Sequence, residues 1–191
     1  MALFDRVETG CGDNLVRYWE TPTPVVVVGR HSVVADDVNE EACRADGIPV
    51  LRRFSGGGTV VLAPGCMNYA AAFSLTSRPE LWDVAASFEV ILGAIVRSLA
   101  VPALSIAGTD LVVNGRKVSG NAQRRGRRAI LQHGTVLFAF DSALASRYLK
   151  EPVRQPPYRA SRVHGDFLGN LPLSRETLRK RLATAWSAAP F

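Results

Sequence analysis

The sequence contains no long apolar run, few cysteines and few lysines. Each of these features limits the kinds of protein or site that the chain can be. No window of its 191 residues comes near 18 uninterrupted apolar residues, which excludes a membrane-spanning helix. Residues 1–17 carry charges where a signal peptide needs its apolar stretch, so we expect a cytoplasmic protein. The three cysteines are an odd number without C-x-x-C spacing, which argues against a disulfide framework and a structural zinc site.

Lysine is the scarce basic residue in a chain whose formal net charge is +6. Lys117, Lys150 and Lys180 are the only lysines among 23 basic residues, so arginine supplies the routine surface charge. A lysine inside a compact motif is therefore less expected to be surface filler. The positive charge by itself suits an acidic protein partner or nucleic acid.

The remaining composition is that of one packed domain, since 47% of the residues are hydrophobic and 21% are charged. β-branched runs between glycine and proline turns predict strands at 25–29, 48–52, 59–62, 68–75, 110–113, 116–119 and 129–140. Helices are predicted at 37–45, 141–149, 174–188 and from Ser77 to Pro102, where Ser77 and Glu80 have capping-box spacing. Hairpins with covering helices indicate an α+β fold with a mixed or mostly antiparallel sheet, in one domain over residues 1–191.

Three successive glycines, Gly56, Gly57 and Gly58, lie between two predicted strands and follow Arg52 and Arg53. Glycines allow main-chain N–H groups to approach an anion closely, and the arginines add permanent positive charge. This motif predicts a site for a phosphate or acyl-phosphate group. A flexible surface hairpin with incidental basic flanks is the alternative.

A second motif surrounds Asn114-Gly115, the strongest hairpin signal in the chain. Strand alternation after this turn places Lys117 and Ser119 on one face, where an amine and a hydroxyl would point together into a cleft. An exposed lysine on an edge strand is the alternative.

A third motif interrupts an apolar strand with His133, Gly134 and Thr135, which suggests close approach of a ligand or another backbone. The histidine is otherwise a hydrogen-bonded structural residue. Next to this strand lies a basic cluster that would contact phosphates or form a solvated, mobile loop, and we favour the loop. Its members are Arg124, Arg125, Arg127 and Arg128.

Together the three motifs resemble, in order and rough spacing, the lipoate–protein ligase branch of the biotin/lipoate ligase superfamily. The resemblance implies the class II synthetase-like fold of those catalytic domains and the joining of lipoate or octanoate to a protein lysine, through an acyl-adenylate made from ATP. It implies Lys117 as the catalytic residue and Mg²⁺ with the nucleotide, near Asp110. The implied contacts to nucleotide and acyl-adenylate are Arg53, Ser55, Gly56, Gly57, Gly58, Thr59, Val60, Val61, Asp110, Ser119, Gly120, His133, Gly134 and Thr135.

The resemblance also implies an acidic lipoyl-domain acceptor as partner. Three departures accompany it: no helix is expected before the first strand, Leu62 and Ala63 replace a His-Asp pair, and no accessory domain is expected after Phe191. A compact ligase, a separate accessory subunit or transfer from a preformed adenylate would accommodate them. The segment from Arg154 to Phe167 resembles a bacterial subgroup, without indicating a substrate.

Two other functions stay open beside the ligase. One is an octanoyl or lipoyl transferase, working without cysteine or through a thioester on Cys66. The other is a non-catalytic relative that binds lipoyl-adenylate. Binding of nucleic acid is the least favoured function, because no aromatic residue interleaves the basic cluster.

Overall fold

The computed structural model describes residues 2–186, and two β-sheets organise this range. Its strands are β1 (Asn14–Trp19), β2 (Val25–Val28), β3 (Val50–Arg52), β4 (Val60–Leu62), β5 (Cys66–Ser74), β6 (Ser105–Ala107), β7 (Asp110–Val113), β8 (Arg116–Arg125) and β9 (Ala129–Leu137). The larger sheet has the order β1-β5-β9-β8-β7-β6, and all its neighbouring pairs are antiparallel. In the smaller sheet, β2 pairs in parallel with β3 and antiparallel with β4.

Helices cover the larger sheet and connect the two sheets. They are α1 (Ala2–Glu8), α2 (Val34–Asp37), α3 (Glu40–Ala45), α4 (Val84–Leu99), α5 (Ser142–Tyr148), α6 (His164–Phe167) and α7 (Arg175–Thr184). The predicted α+β class with a mostly antiparallel sheet is confirmed. β1, β6, α1 and α6 are additions to the predicted elements, and α2 and α3 take the place of the single helix predicted at 37–45. The predicted helical residues 187–188 lie outside the described range. None of the helices within residues 2–186 has the length and apolarity needed to cross a membrane.

Helix α4 packs its apolar stripe on one face of the larger sheet. Leu92, Ile95 and Leu99 are fully buried there, in a cluster with Tyr69 and Val136 of the central strands. Complete burial of each such side chain stabilises the fold by roughly 1.5–3 kcal/mol. This face is therefore a filled core, and a ligand site has to lie on the other face.

The predicted start of this helix is wrong. Residues 79–81 form a separate 3-10 turn in which Glu80 pairs with Arg78, so Ser77 and Glu80 do not form a capping box. Asp83 instead accepts a hydrogen bond of 2.8 Å from the N–H of Ala86 and caps α4. A carboxylate at the N-cap position satisfies a helix donor that would otherwise lack a partner.

Helix α1 lies on the opposite face of the larger sheet, so the expectation that no helix precedes the first strand is wrong. Phe4 and Val7 are buried against Ala70, Ala72 and Leu131. Small alanine side chains on β5 leave room for the helix to approach. All nine residues of β5 are buried, because neighbouring strands and covering elements enclose both of its faces.

The C-terminal end of α1 is held by the turn between β8 and β9. The Glu8 carboxylate accepts hydrogen bonds of 2.8, 3.0 and 2.8 Å from the N–H groups of Arg127, Arg128 and Ala129. Burial opposes ionisation of this carboxyl, but the three hydrogen bonds outweigh it and its pKa lies below the usual value. The carboxylate of the chain itself thus fills this nest of N–H groups.

The interpretation of the basic cluster as a solvated, mobile loop is wrong for Arg124 and Arg125, which lie in β8, whereas Arg127 and Arg128 lie in the exposed turn after it. The Arg124 guanidinium lies between the rings of Phe4 and Phe54, 4.5 and 4.9 Å from their centres. Arg125 donates to the carbonyl oxygens of Leu81 and Trp82. Both arginines therefore brace the fold through stacking and main-chain contacts.

We expect Glu8→Gln to lower the free energy of unfolding at pH 7 by about 1–2 kcal/mol, because an amide is a weaker and partly mismatched acceptor for three donors. The pKa of the native carboxyl is lowered, so its contribution is present above the ordinary pKa and is lost as the pH falls through the native pKa. Urea unfolding at several pH values measures both effects. Glu176→Gln, in an exposed pair with Lys180, is the control, and equal losses in the two variants would contradict the assignment.

Candidate functional site

A cavity of about 670 Å³ opens on the face of the larger sheet opposite α4. Strands of both sheets contribute to its wall, together with α1, the glycine motif and residues 149–167. The wall combines apolar side chains such as Trp19 and Leu131 with cations such as Lys117. A concave site of this size and mixed character is typical of a pocket for a small molecule with a charged end.

Most of the predicted site residues meet at this cavity, although they come from three separate motifs. Those that line it are Arg53, Ser55, Gly57, Gly58, Thr59, Val60, Asp110, Lys117, Gly120, His133, Gly134 and Thr135. Gly56, Val61 and Ser119 do not line it, so their predicted binding roles are not supported. Val61 points into the apolar cluster of Val26 and Cys66, as the alternation of β4 requires.

The prediction that Lys117 and Ser119 share a face is wrong because of a β-bulge in β8. Lys117 pairs with Val112 and Ser119 pairs with Leu111, so β8 carries one extra residue, Val118, at this point. Ser119 is consequently fully buried and hydrogen-bonded to Asn121. The bulge leaves Lys117 on the cavity side, in line with Gly120.

Two contacts define the position of the Lys117 side chain. Its Nζ lies 2.9 Å from Oδ1 of Asp110, and these side chains are only 25% and 10% exposed. The side chain also passes over Gly120, where a Cβ would lie 2.9 Å from its Cε and 3.0 Å from its Nζ. Gly120 therefore provides the space through which the amine reaches the cavity.

The glycine loop is shaped by Arg53. This guanidinium donates hydrogen bonds of 2.7 Å to the carbonyl oxygens of Gly56 and Gly58, and one of 3.2 Å to that of Val27. Burial lowers the pKa of Arg53. Its donors thus serve the loop, which turns these carbonyls toward the arginine.

The main-chain N–H groups of the loop stay available for another partner. Among the hydrogen bonds of residues 2–186, none is donated by the N–H of Gly56, Gly57 or Gly58. Gly57 and Gly58 line the cavity. Donors of this kind in the wall of a cavity that an ammonium group also lines are typical of an anion-binding site.

His133 and Ser55 form a hydrogen-bonded pair in the cavity wall, with 2.5 Å between Nε2 and Oγ. Burial and then the charge of Arg53 lower the pKa of His133 to about 4. The imidazole is therefore neutral at pH 7 and adds no charge to the cavity. Next to it, a Cβ at Gly134 would lie 2.7 Å from the carbonyl oxygen of Gly120 and 2.0 Å from Oδ1 of Asn121, so the predicted close approach of another backbone is confirmed.

The sequence motifs did not indicate several lining residues. Trp19 and Arg17 come from the unpredicted strand β1, and Asp37 comes from the end of α2, where it accepts a hydrogen bond from Thr59. Residues 149–167 close one side of the cavity with Arg159 and Phe167. The only sequence signal for this side was the arginine- and proline-rich stretch beginning at Arg154.

Known proteins are similar to this chain in sequence and in fold. The family model described as the lipoyl protein ligase A/B catalytic domain matches residues 1–180. The chain is 30% identical over 169 residues to a putative lipoate-protein ligase A of Aeropyrum pernix, covering 81% of this chain and 62% of that protein. It is 30% identical over 186 residues to the mitochondrial lipoyl amidotransferase LIPT1 of Homo sapiens, covering 93% of this chain and 48% of that protein. The chain spans about half the length of the curated relatives it matches.

Solved structures share the fold at low sequence identity. The bi-partite lipoate protein ligase in an archaeal lipoylation system of Thermoplasma acidophilum, described with its E2 lipoyl domain, matches with a TM-score of 0.79 and 21% identity over 97% of this chain and 76% of that one. The putative lipoate protein ligase Ta0514 of T. acidophilum with bound lipoic acid matches with a TM-score of 0.76 and 21% identity, over 97% of this chain and 78% of that one. A lipoate-protein ligase A bound with ATP matches with a TM-score of 0.74 and 22% identity, over 97% of this chain and 77% of that one.

We expect His133 to remain neutral down to about pH 5, because its lowered pKa is near 4. The folded state then binds fewer protons than the unfolded chain, so this histidine stabilises the fold above its ordinary pKa of 6.5 and less as the pH falls toward 4. An NMR titration of histidine-labelled protein measures the midpoint, with His133→Gln to assign the signal. A midpoint above pH 6 would contradict the burial and charge argument.

Proposed function

This chain belongs to the lipoyl protein ligase A/B catalytic domain family, and we propose that it attaches lipoate or octanoate to a lysine of an acceptor lipoyl domain through an acyl-adenylate. The single observation that carries the proposal is that Lys117 and the glycine loop line one cavity of about 670 Å³. The two motifs are distant in sequence, and each supplies one part of an anion site. Relatives named as lipoate-protein ligases support the choice of acid.

The proposed reaction has two steps that use the same cation. A carboxylate oxygen of the acid attacks the α-phosphorus of ATP, the bond to the leaving oxygen breaks, and pyrophosphate departs. The ε-amine of the acceptor lysine then attacks the acyl carbon, AMP departs, and the amine loses a proton. Lys117 stabilises the negative charge that develops on the α-phosphate in the first step and on the acyl oxygen in the second.

The loop supplies the second half of the anion site. The N–H groups of Gly57 and Gly58 would donate hydrogen bonds to phosphate oxygens. Arg53 holds the loop carbonyls by 2.7 Å hydrogen bonds. This fixed arrangement reduces the reorganisation that binding would otherwise require, while neutral His133 and Ser55 form the adjoining wall.

The contacts of Asp110 do not fit a protein-held Mg²⁺. One of its oxygens forms an ion pair with Lys117, and the other accepts a hydrogen bond from the hydroxyl of Tyr158. Within residues 2–186 no group of three or more His, Cys, Asp or Glu side chains is arranged to hold a metal ion. The Mg²⁺ expected with ATP would depend on phosphate oxygens and water for its coordination.

An acidic lipoyl domain is the proposed acceptor. The net charge of +6 favours encounter with an acidic partner. Arg17 and Arg154 line the cavity and are exposed, so positive charge reaches the surface where the acceptor lysine would enter. The solved ligase that was described with its E2 lipoyl domain supports this class of partner. A separate accessory subunit is a further proposed partner, since the solved archaeal ligase is described as bi-partite.

Acyl transfer without ATP is the second candidate, because similarity to the human lipoyl amidotransferase covers 93% of the chain. A thioester on Cys66 has little support. Its side chain is fully buried outside the cavity wall, and burial raises the pKa of its thiol to about 12. Transfer would therefore proceed by direct attack of the acceptor amine. A non-catalytic adenylate-binding protein is the third outcome that experiments need to distinguish.

We expect the protein, with ATP, Mg²⁺ and lipoate or octanoate, to add the acyl mass to a lipoyl domain, and Lys117→Ala to lower the rate by at least about a hundredfold, because the charge-stabilising ammonium is lost. Intact-protein mass spectrometry and ATP–pyrophosphate exchange measure the two steps.

Lys180→Ala is the matched control, since that side chain is 75% exposed on α7. Labelling without ATP from an acylated donor protein would favour the transferase. Tight binding of lipoyl-AMP without exchange or labelling would favour the binding protein.

We expect Gly58→Val to weaken ATP binding by at least about tenfold, because its side chain would occupy space needed by phosphate next to the loop donors. A Cβ at Gly58 meets no heavy atom within 4 Å, so the fold should tolerate the change. Gly56→Val is the control, since Gly56 has the same open surroundings but does not line the cavity. Calorimetry that gives equal affinities for the two variants would reject the phosphate site.

A further inference from the structure

The arginine- and proline-rich stretch beginning at Arg154 belongs to a segment that crosses the Lys117 hairpin. We call residues 150–169 the strap. Its Gly169 N–H donates to the carbonyl oxygen of Lys117 at 2.8 Å, and its Arg162 donates to that of Gly115 at 2.8 Å. In return, Arg116 of the hairpin donates to the Leu168 carbonyl at 2.8 Å. The strap and the hairpin are thus joined directly on either side of Lys117.

One side chain of the strap reaches the ion pair itself. The Tyr158 hydroxyl donates a hydrogen bond of 2.6 Å to Oδ2 of Asp110, whose Oδ1 lies 2.9 Å from Lys117 Nζ. Asp110 is only 7% exposed, so solvent has little access to replace the phenol. The tyrosine ring lies 5.3 Å from the ring of Phe167, which fixes its orientation independently of the hydroxyl.

We propose that Tyr158 is a positioning residue for Lys117: its hydroxyl fixes the Asp110 carboxylate, which holds the amine over Gly120 and toward the cavity. The proposed kinetic consequence rests on the proposed function, while the positioning itself does not. The role assigns the unexplained stretch beginning at Arg154 to the Lys117 site.

The geometry explains why the second hydrogen bond matters. A carboxylate held at one oxygen can rotate about its Cβ–Cγ bond, whereas donors at both oxygens leave one orientation. Loss of the phenol would leave a buried charged oxygen without its partner, and the carboxylate would turn to find another donor or admit water. Burial, and then the hydrogen bond to Asp110, raise the pKa of Tyr158, so the phenol stays protonated and donates throughout the working pH range.

The chain contains a matched control in a second tyrosine–aspartate–cation group. Tyr148 donates a hydrogen bond of 2.8 Å to Asp46, which also pairs with Arg147. This triad has the same order of tyrosine, aspartate and cation as Tyr158, Asp110 and Lys117. Asp46 and Arg147 do not line the cavity, whereas Asp110 and Lys117 do. Tyr148→Phe therefore reproduces the chemical change of Tyr158→Phe without touching the site.

The first test compares kinetics of acyl-adenylate formation in the two tyrosine variants. Tyr158→Phe should lower kcat roughly tenfold, as loss of a hydrogen bond to a charged group does, with little change in KM for ATP or acid. Tyr148→Phe should keep the wild-type kcat. A wild-type kcat in Tyr158→Phe overturns the inference, and so does an equal loss in both variants, because that would indicate a general effect on folding.

The second test reports on Lys117 without requiring activity. The chain has only three lysines, so limited acetylation with acetic anhydride followed by mass spectrometry gives the reactivity of Lys117 relative to exposed Lys180 in the same molecule. Tyr158→Phe should raise this ratio severalfold, because the amine becomes more mobile and more accessible. Tyr148→Phe should leave it unchanged.

The two tests separate failure of the inference from failure of the proposed function. A wild-type protein that makes no acyl-adenylate contradicts the proposed function, and the acetylation ratio still decides whether Tyr158 positions Lys117. An unchanged ratio in Tyr158→Phe overturns the inference even where kcat falls, since the tyrosine would then act without Lys117.

Discussion

The ion pair between Lys117 and Asp110 is the contact on which the rest of the site depends. An ammonium placed alone in a half-buried cavity wall would be poorly solvated, and an isolated carboxylate with 10% exposure would be worse. At 2.9 Å each group compensates the other, and the phenol of Tyr158 satisfies the remaining carboxylate oxygen. The bulge at Val118, the open space above Gly120 and the strap all serve to bring these groups together. These contacts thereby hold the Lys117 ammonium at the cavity wall in a position set by the protein.

Arginine and lysine have different structural roles in this protein. Arg53, Arg116 and Arg162 donate to main-chain carbonyls and fix the glycine loop, the hairpin and the strap. A planar guanidinium with five donors suits this bridging of carbonyl groups. Lys117, in contrast, presents a compact charge on a flexible stem at the cavity. The scarcity of lysine is a weak sequence signal, and it directs attention to Lys117, which lines the same cavity as the glycine loop.

The sequence predicted best those parts of the fold that depend on local chemistry. The Asn114-Gly115 turn is confirmed, with φ angles of +50° and +73° at its central residues, and the three motifs meet at one cavity. Predictions from the sequence were wrong where one extra residue changes the register of a strand, or where a helix depends on contacts that the local sequence does not reveal. Alternation cannot indicate that Val118 is an extra residue, so Ser119 was assigned to the wrong face. Asp83 displaced the expected cap because residues 79–81 form their own turn, and α1 depends on distant alanines of β5 for its burial.

The chemistry of the cavity wall favours direct attack over a covalent enzyme intermediate. Among residues 2–186 no cysteine lines the cavity, and Cys66 of β5 is buried in an apolar cluster, where burial raises its pKa. Ser55 is the hydroxyl next to a base, but its partner His133 has a pKa of about 4 and is a weak acceptor for the proton that a serine nucleophile would have to lose. What the wall offers is a fixed ammonium and main-chain N–H donors, which stabilise charge on a substrate. Such a site requires a substrate that carries its own leaving group, and an acyl-adenylate meets that requirement because AMP departs without help from an enzyme nucleophile.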